Sequence, residues 1–175
     1  MAQEMCGIRE EHTMKNKLTL REVTQLAVLT SLTVATGFVL NVPNPLTKGV
    51  FVLIDWGILV AGILFGAMGG GIVGGLSGFL YDMLGGYPTW AIFSLIIHGA
   101  QGYVFGSLYR KSKPLAYGVS SVLMVVGYFF ADWMMSGEAA AFASIASNLA
   151  QVGISAIVVF FFEPVLAQLR KRLAI

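Results

Sequence analysis

The chain has 175 residues, of which 57% are hydrophobic and only 11% charged, and its mean hydropathy is +0.78. A soluble domain carries roughly a quarter charged residues, so this composition excludes an ordinary water-soluble fold and makes lipid the natural solvent. The length accommodates about six spans of roughly 20 residues with short loops, which leaves no room for a separate soluble module. The single cysteine, Cys6, cannot form an intramolecular disulfide, and no Cys/His set has metal-ligand spacing. No cofactor is expected.

Residues Met1 to Lys17 are polar and mixed in charge, without the apolar core of a secretory signal, and are read as a cytoplasmic tail. Residues 18–175 form one domain. Its apolar runs predict helix 1 over Leu20–Leu40, then a proline-bearing loop from Asn41 to Lys48. Helix 2 is expected over Phe51–Met68 and helix 3 over Gly70–Leu84, joined only by a tight glycine turn. After the turn Gly85-Gly86-Tyr87-Pro88 come helix 4 (Thr89–Tyr109), helix 5 (Pro114–Met135) and helix 6 (Ala139–Phe162). Glu163-Pro164 marks the end of helix 6 or a kink, and Val165–Ile175 reads as a short basic amphipathic tail. The expected fold is an all-α integral membrane protein of six transmembrane helices.

Lysine and arginine set the orientation. With the N-terminus in the cytoplasm, Arg9, Lys15, Lys17, Arg21, Arg110, Lys111, Lys113, Arg170, Lys171 and Arg172 all lie inside, and only Lys48 lies outside. The inverse arrangement would violate the positive-inside rule at ten of the eleven positions. Both basic ends share a side only if the number of spans is even. One unbroken helix across Gly66-Ala67-Met68-Gly69-Gly70-Gly71 would give five spans and an outside C-terminus, against the basic tail.

The glycine pairs Gly62/Gly66, Gly70/Gly74, Gly71/Gly75 and Gly74/Gly78 let helices 2 and 3 pack closely. Gly69-Gly70-Gly71-Ile72-Val73-Gly74 matches a dinucleotide fingerprint only formally, because no strand precedes it and a dinucleotide cannot sit in hydrocarbon. On helix 1, Ala27, Ser31 and Ala35 form a small-residue stripe, open to internal packing or to docking of another membrane protein. Polar residues inside spans are costly and therefore informative. Ser94, His98 and Gln101 fall within about 60° on one face of helix 4, and Ser144, Asn148, Gln151 and Ser155 repeat the geometry on helix 6. His98 and Asn148 come out roughly 13 Å below the outer surface, with Gln101 and Gln151 near the midplane. Asp55, Asp82, Asp132 and Glu138 are all expected near outer helix ends. Tyr87, Trp90, Tyr128 and Trp133 supply aromatic walls. Together these outline a pocket open to the outside and closed below.

No nucleophile has a base at plausible spacing, and there is no H-E-x-x-H or Walker motif, so the chain is not expected to be an enzyme. It also looks too small for a two-repeat secondary transporter. Any ATP hydrolysis would reside on other chains.

At this point the chain resembles the substrate-binding S component of an energy-coupling factor (ECF) vitamin transporter. The likeness covers nearly everything from Lys15: six helices, the stripe on helix 1 and the long loop from Asn41 to Lys48. Leu84-Gly85-Gly86-Tyr87-Pro88-Thr89-Trp90, leading into Ile97-His98-Gly99-Ala100-Gln101-Gly102, resembles the hydroxymethylpyrimidine or pyridoxine branch. The resemblance implies a prokaryotic plasma membrane and vitamin captured from outside by helices 4 to 6 and the loop. It further implies docking of the Ala27/Ser31/Ala35 face on a transmembrane coupling (T) protein, and toppling driven by two cytoplasmic ATPases. The family motif on helix 1 is usually alanine, and Ser31 is still small.

On this reading His98, Gln101, Asn148 and Gln151 give directional hydrogen bonds to a neutral or weakly basic ring. Asp132 or Glu138 receives a ring nitrogen or amine, and Tyr87, Trp90 or Trp133 stacks on the ring. Asn41, Asn44 and Lys48 belong to a gating loop. The absence of arginine from the outer half disfavours an anionic vitamin, although Lys48 keeps pantothenate open. The rival reading is a non-transporting membrane assembly protein. Nothing calls for a nucleic acid.

Overall fold

A computed structural model describes residues 18–43 and 50–173. Among them are five helices, α1 (Leu20–Val39), α2 (Asp55–Gly85), α3 (Ala91–Tyr109), α4 (Lys113–Ser136) and α5 (Glu138–Leu173), and two short strands, β1 (Asn41–Pro43) and β2 (Val50–Val52). All five helices are long and apolar enough to cross a membrane. Cys6, Asn44 and Lys48 lie outside the described residues.

Each boundary has a local cause. Thr19-x-x-Glu22 is a capping box: the Thr19 hydroxyl accepts from the Glu22 N–H, and the Glu22 carboxylate accepts from the Thr19 N–H at 2.8 Å. Ser112 stands at the N-cap of α4 with Pro114 in its first turn, where the missing N–H costs nothing. α5 does not end at Phe162 as expected but runs on through Pro164. Proline removes one helical hydrogen bond there, and the neighbouring Glu163 is pinned by the Lys113 ammonium and by the Tyr117 hydroxyl at 3.0 Å.

The region expected as helix 2 differs more. Val50–Val52 is a strand, paired antiparallel with β1 in the register Asn41↔Val52 and Val42↔Phe51, so α2 starts only at Asp55. Within α2, Gly66 has φ 71° and ψ −156°, a region open essentially to glycine alone. The chain reverses there. A Cβ built on Gly70 would sit 3.2 Å from Gly62 Cα, and one on Gly74 would sit 3.2 Å from Ile58 Cγ2. Eight residues of unbroken helix would separate the first pair by about 12 Å. Residues 55–65 and 67–85 are thus two antiparallel helical arms of one element. Gly66→Ala should lower stability by about 1–3 kcal/mol although no atom stands in its way, a loss readable by thermal unfolding in detergent.

α2 is the most buried helix and the centre of the fold, packing on α1, α3 and α5, while α4 bridges α3 and α5. The close contact expected within the glycine-rich arms extends to α3. Gly70 meets the backbone of Gly102, and Gly74 meets the carbonyl of His98. One apolar cluster joins Leu59, Ile63, Phe105, Ala116 and Val159. A second joins Trp90, Ile97, Met124, Ala131 and Val152. α1 presents Ala27, Ser31 and Ala35 as exposed side chains, so the stripe takes no part in packing within this chain.

Candidate functional site

A buried carboxylate organises the polar interior. Asp55, at the first turn of α2, is fully buried. Its Oδ1 accepts from Gln101 Nε2 at 2.6 Å and its Oδ2 accepts from Gln151 Nε2 at 2.6 Å. These two bonds fix the direction of the rest. With its nitrogen donating to Asp55, Gln101 offers its oxygen to His98 Nδ1 at 2.9 Å, which must therefore carry the proton. Gln151 offers its oxygen to the backbone N–H of Val52 at 3.2 Å. A neutral His98 is then left with Nε2 as an acceptor. Three helices and the ribbon strand β2 meet at this floor.

Above the floor is a cavity of about 570 Å³ counted out to its mouth, of which about 50 Å³ admits the centre of a water-sized sphere. A water needs roughly 10–15 Å³ on that second measure, so the space matches about four waters, the bulk of one small ring. Val52 and Ile54 from the ribbon side and Gly78, Tyr81 and Asp82 from α2 form one wall. Tyr87 and Trp90 from the α2–α3 turn and Ser94 and His98 from α3 form the next. Met124, Tyr128 and Asp132 of α4 face Ser144, Ser147, Asn148 and Gln151 of α5. The Tyr128 ring lies 5.4 Å from His98 and 6.3 Å from Trp90 between centroids, and its hydroxyl shares a 2.6 Å hydrogen bond with Ser94.

Of the residues expected at the site, Tyr87, Trp90, His98, Tyr128, Asp132, Asn148 and Gln151 all line this cavity. Gln101 lies behind His98 and orients it. Trp133 and Glu138 do not belong to it: both are exposed, and Trp133 stacks on Phe130 with ring planes 12° apart. One residue past Asp132, Trp133 is turned by about 100° around the helix. Asn41 is exposed on β1.

Asp55 stands at the start of α2, as expected of a helix-end residue, but it is also fully buried and hydrogen-bonded to Gln101 and Gln151, a site role that the sequence reading did not give it. Asp82 was undervalued as well. It continues the spacing-four row Gly74, Gly78, Asp82, the face of α2 that meets α3, and that row was the signal for it.

The chain is 38% identical over 163 residues to the thiamine precursor transporter HmpT of Lactococcus lactis subsp. cremoris (strain MG1363), covering 93% of this chain and 94% of the relative. It is 29% identical over 129 residues to an uncharacterized protein in a gap 3' region of Pyrococcus woesei, covering 71% of this chain and 86% of that relative. Residues 17–170 match the family described as ECF-type riboflavin transporter, S component. The chain is therefore a transporter component and not an enzyme, and it belongs to the ECF-type riboflavin transporter S component family.

Proposed function

We propose that the chain is the membrane-embedded substrate-binding subunit of an ATP-driven importer, and that it captures a single-ring vitamin precursor such as hydroxymethylpyrimidine or pyridoxine from outside. The observation that carries the reading is the cavity itself, lined by Gln151, His98, Tyr128 and Trp90, with Asp55 and Gln101 holding Gln151 and His98 from behind. Its volume suits one ring better than a fused three-ring ligand with a polyol chain such as riboflavin. The relative named as a thiamine precursor transporter points the same way. The reversal at Gly66 supports six crossings with both termini in the cytoplasm, which keeps Arg21, Arg110, Lys111, Arg170, Lys171 and Arg172 on one side. The exposed Ala27/Ser31/Ala35 face of α1 is the proposed docking surface for the T protein, with two ATPases beneath.

Thermal unfolding of the purified protein in detergent, with a panel of ligands, tests this. A compound that binds only the folded state adds about 2.7 kcal/mol at a hundredfold excess over its Kd. Hydroxymethylpyrimidine or pyridoxine should raise the transition, riboflavin and pantothenate should not, and His98→Ala should abolish the rise. Stabilisation by riboflavin alone would overturn the one-ring reading. A flat response to the whole panel would remove solute capture altogether.

A further inference from the structure

The cavity is unbalanced in its hydrogen-bonding capacity. Asp82 is 6% exposed and Asp132 is 3% exposed, and both line the space. Asp82 Oδ2 and Asp132 Oδ1 are buried without a hydrogen-bond partner. In its neutral form His98 adds a third acceptor, since its Nδ1 proton is committed to Gln101. On the donor side, the Asn148 Nδ2 amide and the Tyr81 hydroxyl are buried and unpartnered, but rotation of the carboxamide can present its oxygen and a hydroxyl accepts as well as donates, whereas the carboxylates can only accept. Among the described residues no lysine or arginine lines the cavity. Leaving a buried acceptor unmet costs about 1–3 kcal/mol, and more if it is charged.

Resting on the importer reading above, we infer that the cavity is built for an amine-bearing heterocycle, whose N–H groups are received by Asp82 of α2 and Asp132 of α4. A primary amine beside a ring nitrogen supplies N–H donors along one edge, and protonation of the ring can bring a positive charge to the two carboxyl groups. An oxo group in place of the amine puts a proton on the neighbouring ring nitrogen, so the edge keeps one N–H where the amine offered two and sets a carbonyl oxygen against the same carboxyl oxygens. The aromatic surfaces of Tyr128 and Trp90 tolerate either ring equally, so discrimination falls to the two carboxyl groups. A site that hydrogen-bonds a ligand group rejects the analogue without it far more strongly than an apolar pocket rejects a change of shape.

Calorimetric titration of the purified full chain with hydroxymethylpyrimidine, which carries such an amine, and with its oxo analogue tests the inference. The wild-type protein should prefer the amine on the order of a hundredfold. Asp82→Asn and Asp132→Asn each keep the shape but exchange an acceptor for a donor, and each should shrink that preference tenfold or more. The wild-type comparison stands even if one variant fails to fold. Equal affinity for the two compounds, or a preference undiminished in both variants, would overturn the amine inference while leaving the importer reading intact. Binding of neither compound, with riboflavin bound, would overturn both this inference and the one-ring reading.

Discussion

Asp55→Ala should destabilise the protein by about 2–6 kcal/mol and abolish ligand binding. The estimate follows from what truncation leaves behind. The Nε2 groups of Gln101 and Gln151 each lose their carboxylate partner at a buried site, at about 1–3 kcal/mol per unmet donor. Freed from Asp55, Gln101 no longer has to present its oxygen to His98, so the ring loses its defined tautomer as well. The check is a double-mutant cycle by thermal unfolding: Asp55→Ala and Gln101→Ala should be non-additive by about 0.5–3 kcal/mol. Strict additivity, or a single-variant loss below about 1 kcal/mol, would show that the network is incidental.

The second large effect is expected at the contact between α2 and α3. Gly70→Ala would push a methyl group into the Gly102 carbonyl, and Gly74→Ala would push one into the carbonyl of His98. Backbone atoms cannot rotate away as a flexible side chain does, so the helices must separate. Overpacking of this kind costs typically about 1–3 kcal/mol, and the double variant should lose more than either single change. Moving His98 also displaces a cavity wall, so affinity for the ligand should fall tenfold or more in Gly74→Ala. Gly118→Ala is the control: open space surrounds that position in α4, and its stability should stay within about 0.5 kcal/mol of the parent. Equal melting of Gly118→Ala and Gly74→Ala would refute the contact as the source of stability.

The two polar faces could be read from sequence because helical periodicity is a property of spacing alone. Ser94 and His98, and likewise Ser144, Asn148 and Gln151, needed only a 3.6-residue turn to fall on one side of their helices. What each face meets across the bundle was not legible, since it depends on the depth and tilt of neighbouring elements. Asp55 shows why. Phe51, Val52 and Ile54 are apolar enough to read as the start of a helix, yet a strand advances about 3.3 Å per residue against 1.5 Å for a helix. With residues 50–52 as strand, α2 begins at Asp55, and its carboxylate meets Gln101 and Gln151. Pro164 misled for a related reason, because the lost hydrogen bond is local while Lys113 and Tyr117 brace the same turn from another helix. Trp133 was an error of phase that the helical period could have corrected.

The Gln151 carboxamide faces two ways, with its oxygen on the β2 backbone and its nitrogen on the central carboxylate. A planar amide cannot swing one end and keep the other still. Any withdrawal of β2 that breaks the first bond therefore tilts the second, and the disturbance passes to Gln101 and then to the imidazole. One side chain thus ties the ribbon strand to the buried carboxylate and, through Gln101, to His98.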